Sequence, residues 1–294
     1  MTSFFLGRGT DAACEKMKRD ADVMVQSAAA LPSALNEVDQ IAAGLAPAPG
    51  SAGQRAGAPL LALDFDGTLT PIVEHADAVV LDPEAREILQ RLCAITPVAV
   101  ISGRDRADLE RRVGLPVWYA GSHGFEISGP DGSRFEHRGI ATADAALARA
   151  YAALAAVAAN HDGAWVERKP AAVALHYRQV DAGQLDDLLA VAESVVDDGL
   201  ARRDAKMVLE LRPALDWGKG HALRMLADEL IAPTPSGVLF IGDDDTDEDA
   251  LVEVRADGIG IVVCDHDRPT HARWRLRDPA EVVALLGRLA DRLA

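Results

Sequence analysis

Leu60-Leu61-Ala62-Leu63-Asp64-Phe65-Asp66-Gly67-Thr68 runs from a wholly apolar tetrapeptide straight into two carboxylates one residue apart. Four apolar residues in a row, with no polar alternation, suit a strand covered on both faces. Val98–Ile101, Val238–Ile241 and Ile259–Val263 have the same form, and longer helical patterns lie between them. Strands alternating with helices build a parallel α/β sheet. Helix starts agree with this: Asp82-Pro83 offers a cap followed by Pro at the first helical position, and Asp278-Pro279-Ala280-Glu281 adds a capping-box Glu. The pattern predicts helices near 83–93, 105–112, 217–230, 246–255 and 279–292.

Between about 122 and 213 the character changes. Leu209 and Leu211 alternate with Val208, Glu210 and Arg212; Val173, Leu175 and Tyr177 alternate with Ala174, His176 and Arg178; and Glu167 shares a parity with Lys169. Such alternation belongs to antiparallel strands with one wet face. Ala-rich helices at 142–159 and 182–197 would cover the apolar face. Ala46–Pro59 is nearly all Ala, Pro, Gly and Ser, a composition that buries no core. The expected division is therefore an N-terminal helical extension and Ala/Pro/Gly linker (1–58), an α/β doubly wound parallel-sheet core (59–121 and 213–294), and an inserted α+β cap (122–212). The linker would set the extension apart from everything else.

Composition bounds the partners. Of 294 residues, 49% are hydrophobic and 26% charged, the balance of a globular protein with a substantial core. The excess of 46 acidic over 30 basic side chains, a net charge of −16, argues against nucleic acid and against an anionic membrane surface. Cys14, Cys93 and Cys264 are odd in number and widely spaced, which suits a reducing, cytoplasmic setting.

Open α/β sheets bind ligands at the carboxyl ends of their strands. Four polar clusters stand there or nearby: Asp64 and Asp66; Ser102-Gly103-Arg104; Gly242-Asp243-Asp244 with Asp247; and Lys219 at a helix start. Brought together, the carboxylates would repel one another unless a hard cation were bound, and Mg²⁺ suits oxygen ligands. An EF-hand beginning at Asp243 would need Gly at 248 and Glu at 254, where the chain has Glu248 and Val254; no P-loop motif occurs.

Asp-Phe-Asp-Gly-Thr, Ile-Ser-Gly-Arg, Lys219 and Gly-Asp-Asp-x-x-Asp, in this order, resemble the four motifs of haloacid-dehalogenase (HAD)-type phosphatases. The resemblance implies a HAD-like core in which Asp64 attacks phosphorus and Asp66 serves as acid and base. It also implies that Ser102 and Lys219 hold the transferring group, and that Mg²⁺ is held by Asp64, the Asp66 carbonyl and Asp243, with Asp247 in support. A second resemblance lies in Gly121–Glu126, Val166–Lys169, Leu175–Arg178, Glu210–Pro213 and Gly242–Asp249, which are similar to segments of trehalose-6-phosphate phosphatases. It implies a cap that closes over trehalose 6-phosphate, with Glu210 gripping the distal sugar, Lys169, His176 and Arg212 beside it, and Gly103, Arg104, His123 and Gly124 nearer the core. A separate trehalose-6-phosphate synthase would act upstream. Other capped sugar-phosphate phosphatases (sucrose phosphate, mannosyl-3-phosphoglycerate), a phosphomutase and a catalytically silent sugar-phosphate sensor remain open at this point.

Overall fold

The computed structural model describes residues 25–46, 57–73, 78–194, 199–205, 207–231 and 233–294. Among these, one eight-stranded sheet runs Trp274–Leu276, Ile259–Val263, Val238–Gly242, Leu60–Leu63, Val98–Ile101, Trp118–Gly121, Glu126–Ser128, Arg134–Glu136. The first six strands are parallel and the last two antiparallel. Leu60–Leu63 is the pivot: the chain first builds outward from it through Val98–Ile101, then returns to its other side through Val238–Gly242. That reversal is the topological switch where such sheets leave a crevice.

Helices lie on both sheet faces, as the continuous apolar strands require. Leu61, Leu63, Val98 and Val100 pack against Leu89, Leu92, Leu285 and Leu289 from Pro83–Cys93 and Pro279–Leu293, while Leu60, Ala62, Ala99 and Phe240 pack against Leu223, Leu226 and Leu251. Asp82 and Asp278 accept from the backbone of Glu84 and Glu281 as helix caps, each followed by Pro. The helix expected over 217–230 is α-helical over Lys219–Met225 and continues in a wider π turn over Leu226–Leu230.

A separate antiparallel sheet runs Trp165–Lys169, Ala172–His176, Val208–Pro213, Leu200–Ala205. Helices Gly139–Ala158 and Leu185–Glu193 cover one face, where Leu147, Leu154 and Leu188 meet Val173, Leu175, Leu209 and Leu211. Gly139–Ala158 is long and apolar enough to cross a membrane by length and composition. Its Ala143, Leu147, Ala150, Leu154 and Ala158 instead form this small core.

Two boundaries differ from the sequence expectation. Residues 126–136, assigned to the insertion, extend the large sheet, because Gly121 and Glu126 pair directly through the intervening turn. The described part of the N-terminal extension is not set apart: Ala34, Val38, Ile41 and Leu45 enter the main core, and Gln26–Ser27 pairs with Pro269–Thr270. Helix Val38–Leu45 spaces its apolar residues on one face, and that face had to be buried somewhere. Cys14, the earlier part of the extension and linker residues 47–56 lie outside the described residues.

Candidate active site

Asp64 follows the pivot strand and Asp243 the strand beside it, with Leu63 in register with Ile241. The Asp64 amide donates to the Ile241 carbonyl at 2.9 Å, which locks the two strand ends together. Gly67 turns the chain with φ +91°, and a Cβ there would collide with the Asp243 carboxylate. Only glycine permits both the turn and the approach.

Lys219 enters from the helix behind. Its Nζ donates to Asp64 Oδ1 and Asp247 Oδ1, each at 2.7 Å. Asp247 spends its other oxygen on the Asp243 and Asp244 amides at 3.0 and 3.1 Å. Asp249 accepts from the Gly220 amide and so anchors the start of the lysine's helix.

Oxygens of Asp64, Asp243 and Asp247 all lie within 4.8 Å of one another. Burial pushes the Asp64 carboxyl up to about 7 against the pull of Lys219, with Asp243 adding to the rise. Asp243 is also pushed to about 7, by burial and by Asp247 and Asp244. A divalent cation fits that place, since the donors are hard oxygens and negative charge exceeds what Lys219 offsets. With both Asp247 oxygens engaged, Asp64 and Asp243 are the better ligands.

The Asp66 carboxylate does not join this group. Both its oxygens accept from Arg104, at 2.6 and 2.7 Å, in a bidentate pair. Arg104 also donates to Asp108 at 2.9 Å, and Asp108 accepts from Arg112 at 2.7 Å. Its side chain therefore stands outside the carboxylate cluster, leaving the backbone carbonyl as the metal ligand expected of Asp66, and Arg104, expected at the substrate, is a partner of Asp66. Ser102 is buried beside them and accepts from the Arg104 amide at 3.2 Å.

Facing these residues, Lys169, Glu210 and Arg212 of the smaller sheet close a crevice against Gly103, Ser122 and His123. Glu210 accepts from Lys169 at 3.1 Å and from Arg212, and those cations hold its carboxyl below the usual range although burial opposes them. His123 has φ +57°, and burial followed by Arg212, Lys219 and Lys169 holds its imidazole well below its ordinary value, hence neutral. A Cβ at Gly103 would strike the His123 ring. Gly124 and His176, both expected at the substrate, do not line this crevice. Gly124 lets Ala222 approach at φ +90°, a packing role, and His176 lies further out, 3.1 Å from Glu167.

Several contributors escape sequence reasoning. Thr68 donates to Asp243 at 3.4 Å. Arg268 donates to the Asp243 carbonyl at 2.6 Å, to Asp245 at 2.7 Å and to Glu248 at 3.0 Å, clasping the acidic loop. Thr68 and Asp249 lie inside quoted motifs and so carried a signal; Asp108 and Arg268 look like ordinary helix or loop charges.

The family described as Trehalose-phosphatase matches residues 62–280. A trehalose-phosphate phosphatase of Mycobacterium marinum is 42% identical over 243 residues, covering 80% of this chain and 62% of that protein. The chain thus spans less than two thirds of that relative's length. The C-terminal domain of trehalose-6-phosphate phosphatase from C. albicans superposes with a TM-score of 0.70 at 24% identity, over 89% of this chain and 98% of that one. A haloacid dehalogenase-like hydrolase from Bacteroides thetaiotaomicron superposes with a TM-score of 0.55 at 15% identity, over 79% and 98%. These two likenesses concern the fold, which is HAD-like. Since the matched residues take in both the carboxylate cluster and the sheet that faces it, the chain belongs to the trehalose-phosphatase family.

Proposed function

We propose that the protein is a Mg²⁺-dependent phosphatase that releases trehalose and inorganic phosphate from trehalose 6-phosphate, the last step in making trehalose. The observation that carries this reading is the placement of Asp64, Lys219 and the acidic cluster at one end of the core sheet, opposite the charged face of the insertion. Residues from about 139 to 212 then act as the cap. Family membership supports the substrate class.

In this reading an Asp64 oxygen attacks phosphorus as the bond to the sugar oxygen breaks, leaving an aspartyl-phosphate. Lys219 holds the nucleophile and offsets charge on the phosphoryl oxygens, and Ser102 donates its hydroxyl to one of them. Asp66 protonates the departing sugar oxygen, then takes a proton from the water that cleaves the acyl phosphate. Bound Mg²⁺, held by Asp64, Asp243 and the Asp66 carbonyl, would supply further positive charge. Asp247 keeps Lys219 and the Asp243 loop in position. Arg104 orients Asp66, which must turn from it to reach the sugar oxygen.

As it stands the crevice has no room for a water-sized sphere, whereas small-molecule sites usually hold roughly 300–1,000 Å³. Substrate entry therefore requires the cap to lift, pivoting where the chain crosses between the two sheets, near 137–139 and 211–216. Lys169, Glu210 and Arg212 then engage sugar hydroxyls and phosphate on closure. The setting is the cytoplasm, with trehalose-6-phosphate synthase supplying the substrate.

The test is phosphate release, with and without Mg²⁺, from trehalose 6-phosphate, sucrose 6-phosphate, glucose 6-phosphate and mannosyl-3-phosphoglycerate. A preference for trehalose 6-phosphate of about 100-fold or more, about 2.7 kcal/mol, supports the reading. Metal-dependent turnover favouring another sugar keeps the chemistry and discards the substrate. No turnover of any of them refutes the enzyme.

A further inference from the structure

We propose that Trp165 is an aromatic wall on which the distal pyranose ring of the substrate stacks, so that the cap reads the second sugar by shape as well as by charge. This rests on the sugar-phosphate reading above and adds to it a subsite built from a residue outside the catalytic machinery.

Trp165 opens the strand Trp165–Lys169, an edge strand of the cap sheet. Side chains two apart share a face, so Trp165, Glu167 and Lys169 point to one side. Lys169 lines the crevice, which makes that side the one turned toward substrate. The opposite face is occupied by the cap's own apolar core, where Val166 packs. Trp165 therefore has no share in the hydrophobic interior, and it stays 53% exposed although an indole gains more from burial than almost any other side chain.

The ring is nonetheless held. His176 stands opposite it in register, and the two rings stack at 3.8 Å with planes 2° apart. His176 is pinned in turn by Glu167, 3.1 Å from its Nε2. The result is a stacked aromatic pair beside a carboxylate, half exposed on the face of the cap sheet that Lys169 shares. Pyranose rings have that complementary form: C–H bonds on a face suit the electron-rich side of an aromatic ring, and hydroxyls at the rim suit carboxylate and imidazole acceptors.

Distance agrees. At about 3.3 Å per strand residue, Trp165 lies about 13 Å along the strand from Lys169, with Glu167 halfway. A monosaccharide phosphate anchored at Asp64 and Lys169 would stop short of the indole. The second ring of a disaccharide phosphate, running outward along the strand, would meet it.

The experiment compares wild type, Trp165→Ala and Trp165→Phe on trehalose 6-phosphate and on glucose 6-phosphate, which lacks the second ring. Trp165→Ala is expected to raise KM for trehalose 6-phosphate about tenfold with kcat within twofold, to leave glucose 6-phosphate unchanged and to keep its Tm. Trp165→Phe should restore most of the loss. Titrating the wild type with trehalose should change tryptophan emission, and Trp165→Phe, which keeps Trp118, Trp217 and Trp274, should lose that change. A KM unaltered in Trp165→Ala, or raised equally for both substrates, overturns the proposal while leaving the phosphatase reading intact. A wild type that neither binds nor hydrolyses trehalose 6-phosphate overturns the reading and this proposal together.

Discussion

Lys219 Nζ bridges Asp64 and Asp247 at 2.7 Å each, and none of the three side chains is more than 4% exposed. Burial opposes the lysine's charge, yet Asp247 and Asp64 hold its ammonium well above the ordinary value. A single buried cation thus ties Asp64 to Asp247 and joins the first motif of the chain to the last.

Removing that cation leaves its partners buried and unpaired. Lys219→Met is expected to lose at least about 100-fold in turnover and about 3–5 kcal/mol of stability near neutral pH. Denaturant unfolding and steady-state kinetics measure the two. Activity within tenfold of wild type would remove Lys219 from the mechanism.

Metal binding and protonation compete at this site. Asp64 and Asp243, each raised to about 7, bind protons more tightly in the folded chain than when unfolded. In metal-free protein their contribution to stability is therefore lost as pH rises through about 7, and it returns as pH falls toward the ordinary carboxylate value. A cation needs the deprotonated form, so the Tm gain on adding Mg²⁺ should be larger at pH 8 than at pH 6. His123, whose ordinary value is 6.5 and whose imidazole is held well below it, acts in the opposite sense in acid. Comparing with and without metal at each pH separates the two. Equal gains at both pH values would place the cation elsewhere.

The double hydrogen bond from Arg104 to Asp66 marks Asp66 as a positioned carboxylate outside the acidic cluster, and the two proton transfers proposed for it can be separated. With an aryl phosphate the leaving group needs no acid, whereas hydrolysis of the acyl phosphate still needs a base. Asp66→Asn should give a burst of about one aryl alcohol per enzyme and then stall, with steady-state turnover down about 10²–10⁴-fold. Rapid-quench kinetics would show it. Multiple turnovers without a burst would assign the acid and base to another group.

Arg268 does not line the crevice, but it clasps the Asp243 carbonyl and two acidic neighbours. Arg268→Ala is expected to raise the half-saturating Mg²⁺ concentration by about 10–100-fold with kcat at saturating metal nearly retained. Calorimetric titration of the metal gives a second readout. Unchanged metal affinity would leave Arg268 a surface clasp only.

The candidate site was legible where chemistry is local. Asp64 and Asp66 follow an apolar run that can only be a buried strand, Gly67 sits where φ is +91°, and Lys219 begins a helix. The cap's polar face was legible from alternation, since parity puts Glu167 and Lys169 on one side of their strand and Glu210 opposite Leu209 and Leu211 on its own, whatever they touch. Trp165 obeys the same parity, yet a tryptophan beginning a strand reads as core until its exposure is seen.

Sequence by itself determined the strand and helix periods, the glycines that the turns demand and the order in which carboxylates, serine and lysine meet the strand ends, because these depend on residues near one another along the chain. Tertiary structure alone decided the partners. Arg104 turned to Asp66, Arg268 reached back 25 residues to Asp243, Gln26–Ser27 joined Pro269–Thr270, and residues 126–136 joined the core sheet rather than the cap. A period says which face a side chain takes; which surface that face meets is set by three-dimensional packing and by through-space charge.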